Sequence, residues 1–236
     1  MAFSLARRLA AEALGAGLLV ATVVGSGVMA AKLADGNVAL ALLGNTLLTG
    51  AILVVLILAL APLSGAHFNP AVSLVMALTG ALPWRKLAPY TLAQALGGCL
   101  GTLAAHGMFD LPLWALGTTA RTGPSQWFAE IVATFGLLVT ILAVARFRIE
   151  ALPYAVGLHI TAAYWFTAST SFANPAVTIA RALTPTFAGI APANVPAFVA
   201  AQLAGALAGL ALMNWLLSGE RSSEASRRSG EPAAVS

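Results

Sequence analysis

Charged residues are scarce in this chain. Of its 236 residues only 8% are charged and 59% are hydrophobic, and the mean hydropathy is +0.88. A typical soluble domain has about a quarter of its residues as Asp, Glu, Lys or Arg. The scarcity of charge therefore excludes an ordinary soluble domain and predicts a chain that is embedded in a bilayer.

Cysteine is scarcer still, because Cys99 is the single one. One cysteine excludes an intrachain disulfide, a thiolate metal site and a thiol redox pair. Candidate metal ligands are not clustered anywhere along the sequence, and no nucleophile stands beside a base. We therefore expect no metal, no cofactor and no enzymatic activity.

Six apolar segments have the length of about 20 residues that a helix needs to cross a bilayer. The first continues at near spanning length without the short core and cleavage site of a signal peptide, so we interpret it as a permanent helix. The segments predict an all-α membrane protein and lie near residues 9–30, 41–62, 87–107, 127–146, 152–169 and 196–217.

The basic residues stand at the ends of these segments rather than on one face, which argues against a nucleic-acid partner. If the spans alternate in direction, nine basic residues share the side of both termini and three lie opposite, which predicts cytoplasmic termini. The tail at 218–236 lacks periodicity, so we expect it to be disordered. The two groups are Arg7, Arg8, Arg85, Lys86, Arg146, Arg148, Arg221, Arg227 and Arg228, and Lys32, Arg121 and Arg181.

The chain repeats its landmarks in two halves, at about 5–110 and 123–217, within one predicted domain at 1–217. Each half holds three spans, so the second copy must be inverted relative to the first, and the functional site is expected between them at the membrane midplane. The first half contains Ala11-Glu12, Asn69-Pro70-Ala71, Ala93-Gln94, Gly97 and Gly101, and the second contains Ala129-Glu130, Asn174-Pro175-Ala176, Ala201-Gln202, Gly205 and Gly209.

Each Asn-Pro-Ala precedes an apolar stretch of about ten residues, which is too short to span a bilayer. Asn is a preferred helix cap, and proline at the first helical position has no N–H to leave unpaired. The sequence therefore predicts two half-helices that begin at Asn69-Pro70 and Asn174-Pro175. If the loops before them fold inward from opposite faces, the two helix starts meet near the membrane centre.

The residues before each Asn are then unwound, with carbonyls free to point into a cavity. Carbonyl acceptors leading to two asparagine donors form a path for a neutral hydrogen-bonding molecule and a barrier for protons and cations. His67 is expected in the cytoplasmic vestibule. The residues predicted to supply these carbonyls are Gly65, Ala66, His67, Phe172 and Ala173.

Two inverted copies of Asn-Pro-Ala, with the paired Ala-Glu and Ala-Gln, resemble the aquaporin or major intrinsic protein family over roughly residues 5–217. The chain is most similar to bacterial aquaglyceroporin-like members associated with arsenic resistance. The resemblance implies six transmembrane helices plus two re-entrant half-helices in an inverted repeat. It also implies a homotetramer in the bacterial plasma (inner) membrane, with one pore per subunit for water or small uncharged solutes.

The resemblance also implies a narrow filter, in which most members place an arginine directly after the second Asn-Pro-Ala. Here that position is Val177, and the other filter positions carry over to Thr49, Ser171 and a residue of the fifth span. The last is assigned to Tyr164, with Ala162 and Ala163 as alternatives. This filter should be wide enough for glycerol-type polyols, arsenite or methylated arsenicals; a water-selective pore is the alternative.

Two further alternatives concern charged residues. Arg181 lies one helical turn beyond Val177, so it either supplies the missing filter charge or extends to the interface from a half-helix end. Glu12 and Glu130 lie inside spans, where an acid is by default functional. They either support the two loops by accepting backbone hydrogen bonds or relay protons in a coupled carrier, and we favour loop support.

Overall fold

The computed structural model describes residues 3–218 and contains eight α-helices. The described part of the chain contains no β-strand. The predicted tail lies outside the described residues except for Ser218. The helices are α1 (Leu5–Leu33), α2 (Val38–Ser64), α3 (Pro70–Leu78), α4 (Leu87–Met108), α5 (Pro124–Phe147), α6 (Leu152–Phe166), α7 (Pro175–Arg181) and α8 (Val195–Leu216).

The six long helices coincide with the six predicted apolar segments. Four of them, α1, α2, α5 and α8, are long and apolar enough to cross a membrane by length and composition. The predicted fifth span was too long at its C-terminal end, because α6 stops at Phe166 and not at residue 169. Thr167 is already extended, and its hydroxyl donates to the Ala163 carbonyl (2.6 Å), which ends the helix before the loop that leads to α7.

Both short helices begin at the proline that follows an asparagine, as predicted. Helix α3 has nine residues and α7 has seven, so they rise by only about 14 Å and 10 Å. In each helix the Asn side chain caps the first turn. Asn69 Oδ1 accepts from Ala71 N (2.9 Å), and Asn174 Oδ1 accepts from Ala176 N (2.9 Å).

The two halves use the same close helix pairing, with α1 packed on α4 and α5 packed on α8. Glycines make this approach possible. A Cβ added at Gly97 would lie 2.1 Å from the Ala13 carbonyl oxygen, and one at Gly205 would lie 2.3 Å from the Ile131 oxygen. The repeated glycines therefore act in assembly, because only a residue without a side chain fits there.

A buried carboxylate holds the loop that precedes α3. Glu12 Oε1 accepts hydrogen bonds from the Ser64 hydroxyl (2.6 Å) and from His67 N (3.0 Å), and its Oε2 accepts from Phe68 N (2.7 Å) and Gln94 Nε2 (2.8 Å). The glutamate is 0% exposed. Glu12 therefore satisfies two backbone donors that no regular helix could satisfy.

The second half repeats this arrangement at the loop that precedes α7. Glu130 accepts from Phe172 N (2.9 Å), Ala173 N (2.9 Å) and Gln202 Nε2 (2.6 Å), and it too is 0% exposed. Gln202 Nε2 also contacts the Thr178 hydroxyl of α7 at 2.8 Å. Each glutamate therefore meets the loop of its own half, as the inverted repeat predicted.

Two pairs of non-glycine residues at equivalent positions of these loops have left-handed backbone conformations. Ala66 and Phe68 have φ of 51° and 49°, and Ser171 and Ala173 have φ of 48° and 47°. Such a conformation costs a non-glycine residue about 1–3 kcal/mol and persists only where the surroundings impose it. The carboxylate-to-amide hydrogen bonds supply that constraint in both loops.

We expect Glu12→Gln to destabilise the protein, because the new NH2 group cannot accept the hydrogen bonds made to one carboxylate oxygen. Each donor left without an acceptor costs about 1–3 kcal/mol. The melting temperature of the purified protein in detergent measures the loss. Glu150→Gln is the matched control, since Glu150 is exposed, and equal melting temperatures for the two variants would contradict loop support by Glu12.

Two glycines of α4 should respond to alanine with opposite signs. Gly97→Ala should cost about 1–3 kcal/mol, because the added methyl overlaps the α1 backbone. Gly107→Ala should be neutral or stabilising by up to about 1 kcal/mol, because a Cβ there has its nearest neighbour 3.9 Å away and alanine favours the helix. Thermal unfolding of both variants in the same detergent compares them, and a loss at Gly107 equal to that at Gly97 would show that helix approach is not the cause.

Candidate functional site

The tips of the two half-helices meet, and they exchange hydrogen bonds reciprocally. Asn69 Nδ2 donates to the Ala173 carbonyl (2.8 Å), and Asn174 Nδ2 donates to the Phe68 carbonyl (2.8 Å). Each asparagine therefore caps its own helix through Oδ1 and holds the opposite loop through Nδ2. An amide nitrogen has two N–H groups, so each Asn retains one further donor beyond this contact.

A cavity of about 540 Å³ lies beside this contact. Both asparagines line it, whereas the prolines and alanines of the two motifs, which the sequence grouped with them at the pore centre, do not. Pro70, Ala71, Pro175 and Ala176 are buried instead. Within each motif, the proline begins the half-helix and only the asparagine contributes a polar side chain to the cavity.

Aliphatic side chains from four long helices line much of the cavity. Helices α1 and α2 contribute one set of aliphatic side chains, and α5 and α6 contribute the other. These side chains offer no hydrogen bonds, so a molecule in the cavity must take them from the loops, the two asparagines and the Thr49 and Tyr164 hydroxyls. The aliphatic residues are Leu19, Val23, Leu53, Ile57, Leu137, Ile141, Val156 and Ile160.

The five residues predicted to supply carbonyls all line this cavity. Within residues 3–218, no hydrogen bond is made to the carbonyl oxygens of Gly65, Ala66, His67 and Phe172, whereas the Ala173 oxygen is occupied by Asn69. The His67 side chain also lines the cavity, with Nδ1 3.0 Å from the Ser73 hydroxyl. Acceptors are therefore available on both sides of the asparagine pair.

Thr49 and Tyr164 meet at one end of the cavity. The Thr49 hydroxyl lies 3.4 Å from the Tyr164 hydroxyl, and both residues line the cavity. Of the three alternatives in the fifth span, Ala162 is exposed on the outer surface and Ala163 is buried without lining the cavity. The geometry therefore selects Tyr164 among them.

Ser171 and Val177 also line the cavity and are 2% and 5% exposed. The Ser171 hydroxyl oxygen is buried and has no hydrogen-bond partner in the protein. Val177 presents its methyl groups at the position that follows the second Asn-Pro-Ala. One polar group and one aliphatic group thus face the same cavity.

Arg181 also lines the cavity, although it stands one turn further along α7. It is 2% exposed, and its guanidinium carbon lies 3.4 Å from the centroid of the Phe172 ring. Nε donates to the Ala188 carbonyl, and Nη1 has no hydrogen-bond partner in the protein. The Arg181 side chain is therefore buried in the cavity lining, and its role in a filter stays a prediction.

Four residues around the cavity and its loops had no functional role in the sequence analysis. Gln94 and Gln202 were landmarks of the repeat, and they join each buried glutamate to its half-helix; amides repeated inside apolar spans were the available signal. Arg8 and Arg121 were counted only for topology. Arg8 lines the cavity and donates to the Ser64 carbonyl (3.2 Å).

Arg121 lies in the segment between α4 and α5, and its guanidinium stands over the Phe172 ring. Its Nε donates to the Gly189 carbonyl (2.9 Å), and its guanidinium carbon lies 5.0 Å from the Phe172 ring centroid. Burial is the main cause that lowers the pKa of the Arg121 side chain, so this guanidinium is partly removed from water. Nothing in the sequence indicated these contacts, because Arg121 is a single basic residue outside the repeated motifs.

Comparisons with known proteins agree with this geometry. The family described as Major intrinsic protein matches residues 1–149 and again residues 144–235. Aquaglyceroporin AqpS of Rhizobium meliloti (strain 1021) is 62% identical over 215 residues, which cover 91% of this chain and 92% of that protein. Aquaporin NIP2-1 of Zea mays is 36% identical over 149 residues, covering 60% of this chain and 50% of the relative.

A solved structure shares the fold. The X-ray structure of the aquaglyceroporin from Plasmodium falciparum superimposes with a TM-score of 0.69, covers 90% of this chain and 95% of that chain, and is 24% identical in sequence. At that identity the likeness concerns the fold alone. The family match over nearly the whole sequence confirms the resemblance predicted from the repeated Asn-Pro-Ala, and the chain belongs to the major intrinsic protein family.

Proposed function

We propose that this chain is a passive membrane channel for water and small uncharged solutes of glycerol size. The observation that carries the proposal is the reciprocal contact of the two half-helix tips, whose asparagines both line the cavity. A molecule at that contact meets donors from Asn69 and Asn174, acceptors from the loop carbonyls and otherwise hydrocarbon. Such a lining serves a neutral hydrogen-bonding molecule and offers no counter-charge to a cation.

The same contact supports the exclusion of protons. A water molecule at the asparagine pair accepts hydrogen bonds from both amides, so its own hydrogens point away from the pair. The apolar walls offer it no other partners, and neighbouring waters on both sides must then orient away from the centre. A proton relay needs waters aligned in one direction, and this arrangement interrupts that alignment.

The filter of the proposed channel consists of Thr49, Tyr164, Ser171, Val177 and Arg181. Val177 leaves the position after the second Asn-Pro-Ala without a charge, which favours solutes larger than water. Ser171 and Arg181 offer a hydroxyl and an N–H group without protein partners, and these suit a solute that carries hydroxyl groups. Glycerol-type polyols, arsenite as undissociated arsenous acid, and methylated arsenicals share that chemistry.

A water-selective pore is the second candidate, and one observation favours it. The Arg181 guanidinium lines the cavity, and a bulky charged group in the proposed filter would narrow the passage. In that case the channel would pass water and reject glycerol. Solute permeation distinguishes the two candidates directly.

We also propose a multi-pass inner-membrane protein with both termini in the cytoplasm, assembled as a homotetramer with one pore per subunit. The excess of basic residues on the side of the termini supports the orientation, and family membership supports the assembly. The proposed protein is a single channel domain at 1–217, with no enzymatic activity. A reporter fused to the C-terminus and native mass spectrometry of the solubilised protein test the orientation and the assembly.

A channel and a proton-coupled carrier make different predictions in proteoliposomes. We expect stopped-flow light scattering to show glycerol flux that does not saturate and does not depend on a proton gradient, with protein-free vesicles as the baseline. Glu12→Gln protein that remains folded should keep this flux, because Glu12 already accepts four hydrogen bonds and serves the loop. Saturation together with loss of flux in Glu12→Gln would instead identify a coupled carrier.

Val177→Arg should narrow the filter. We expect glycerol and arsenite permeability to fall about tenfold or more, equivalent to about 1.4 kcal/mol of added barrier, while water permeability falls less. The added guanidinium would lie in the proposed filter together with Arg181, so its size and its charge should both reduce solute permeation. Val177→Leu controls for bulk without charge, and unchanged glycerol and arsenite permeation in Val177→Arg would show that residue 177 does not set the aperture.

A further inference from the structure

The segment between α4 and α5 is joined to the outer wall of the filter by backbone hydrogen bonds. Gly117 N donates to the Ala182 carbonyl (2.8 Å), and Ala191 N donates to the Thr119 carbonyl (2.8 Å). A Cβ added at Gly117 would lie 2.0 Å from the Ile190 oxygen. Residues 117–119 are therefore held in register against the segment that follows α7, despite the absence of a helix or strand there.

Arg121 extends this attachment with its side chain. Nη1 lies 3.3 Å from the Ser169 carbonyl oxygen and 3.5 Å from the Thr170 hydroxyl, and Nε donates to the Gly189 carbonyl (2.9 Å). Its backbone N–H donates to Asn194 Oδ1 (3.0 Å). One planar guanidinium thus joins the loop before α7 to the turn after α7.

Arg121 and Arg181 contact the same aromatic ring, that of Phe172, and donate to the same turn at residues 188–189. The guanidinium carbons of Arg181 and Arg121 lie 3.4 Å and 5.0 Å from the Phe172 centroid, and their Nε atoms donate to the consecutive carbonyls of Ala188 and Gly189. Arg181 lines the cavity and Arg121 does not. Anything that moves Phe172 or the 188–189 turn must therefore move the contacts that hold Arg181.

We infer that Arg121 is a positioning residue for selectivity: from outside the cavity it fixes Phe172 and the 188–189 turn, and these hold the Arg181 guanidinium in the filter. The inference rests on the proposed channel function. Phe172 is a suitable intermediary, because its ring is also held edge-on against Phe198 at 5.3 Å between centroids. Without the Arg121 guanidinium, the Phe172 ring and the 188–189 turn that contact Arg181 each lose one restraint.

The test measures the selectivity among polyols, which is a ratio and does not depend on the amount of folded protein. Purified wild type, Arg121→Ala and Arg121→Gln are reconstituted, and the permeability to xylitol is divided by that to glycerol. We expect the ratio to rise at least about twofold in both variants, the lower end of coupling between contacting residues. Arg121→Gln keeps a side chain that can donate to one carbonyl, so it remains informative if Arg121→Ala does not fold.

Two controls separate positioning from simple charge. Lys32→Ala removes an exposed basic residue assigned to the same side of the membrane and should leave the ratio unchanged. Arg121→Lys keeps the charge without the planar fork, so positioning predicts an altered ratio. A wild-type ratio in Arg121→Lys beside an altered ratio in Arg121→Gln would overturn the inference in favour of charge alone.

A double-mutant cycle with Arg181→Ala tests whether Arg121 affects selectivity through Arg181. If Arg121 acts through Arg181, adding Arg121→Ala to Arg181→Ala should change the ratio by less than about 1.5-fold, since the effects of coupled residues do not add. Independent, multiplicative effects would overturn the inference, as would unchanged ratios in both single Arg121 variants.

Failure of the proposed function is distinguishable from failure of the inference. A wild type that passes water but no glycerol overturns the solute class, and the same variants still test the inference, because a loosened filter should admit glycerol. A wild type that passes neither water nor glycerol overturns both. Wild-type glycerol flux with an unchanged selectivity in every Arg121 variant overturns the inference alone.

Discussion

The mutual hydrogen bonds between Asn69 and Asn174 and the opposite loop carbonyls are the interaction on which the centre of this molecule depends. They allow two helices of nine and seven residues, neither able to cross a bilayer, to act together as one spanning element. They also place polar groups where hydrocarbon would otherwise be continuous. Irregular backbone is tolerated at membrane depth only when it is buried in protein or lines a cavity, and here both conditions hold.

That contact requires two loops whose backbone no regular structure can satisfy. The chain has eight acidic residues and places two of them, Glu12 and Glu130, fully buried behind the loops. Each accepts two consecutive backbone amides, so the carbonyls of the same loop remain available to the cavity. A carboxylate is suited to this task because it only accepts hydrogen bonds and accepts several at once. The two buried acids are thus occupied by hydrogen bonds to the loops and to Gln94 and Gln202.

Val177 and Arg181 show that residues at different positions in the sequence can line the same part of the protein. The position after the second Asn-Pro-Ala is an aliphatic residue, Val177, yet a guanidinium reaches the same cavity from Arg181 one turn later. The aromatic ring of Phe172 and the turn at 188–189 hold that guanidinium. The charge that lines the cavity near this position is therefore found in the tertiary structure and not at the position that follows the motif.

The sequence by itself determined the helix content, the six apolar segments, the half-helix starts and the pairing of each glutamate with its own loop. These follow from local chemistry: apolar length, Asn-Pro as a helix start, and a repeat with an odd number of spans per half. Only the tertiary structure decided which residues share the cavity. Tyr164 rather than Ala162 lines it, Pro70 and Ala71 do not, and Arg121 reaches Phe172 from another segment. Such contacts depend on side-chain direction and on backbone separations that span spacing does not encode.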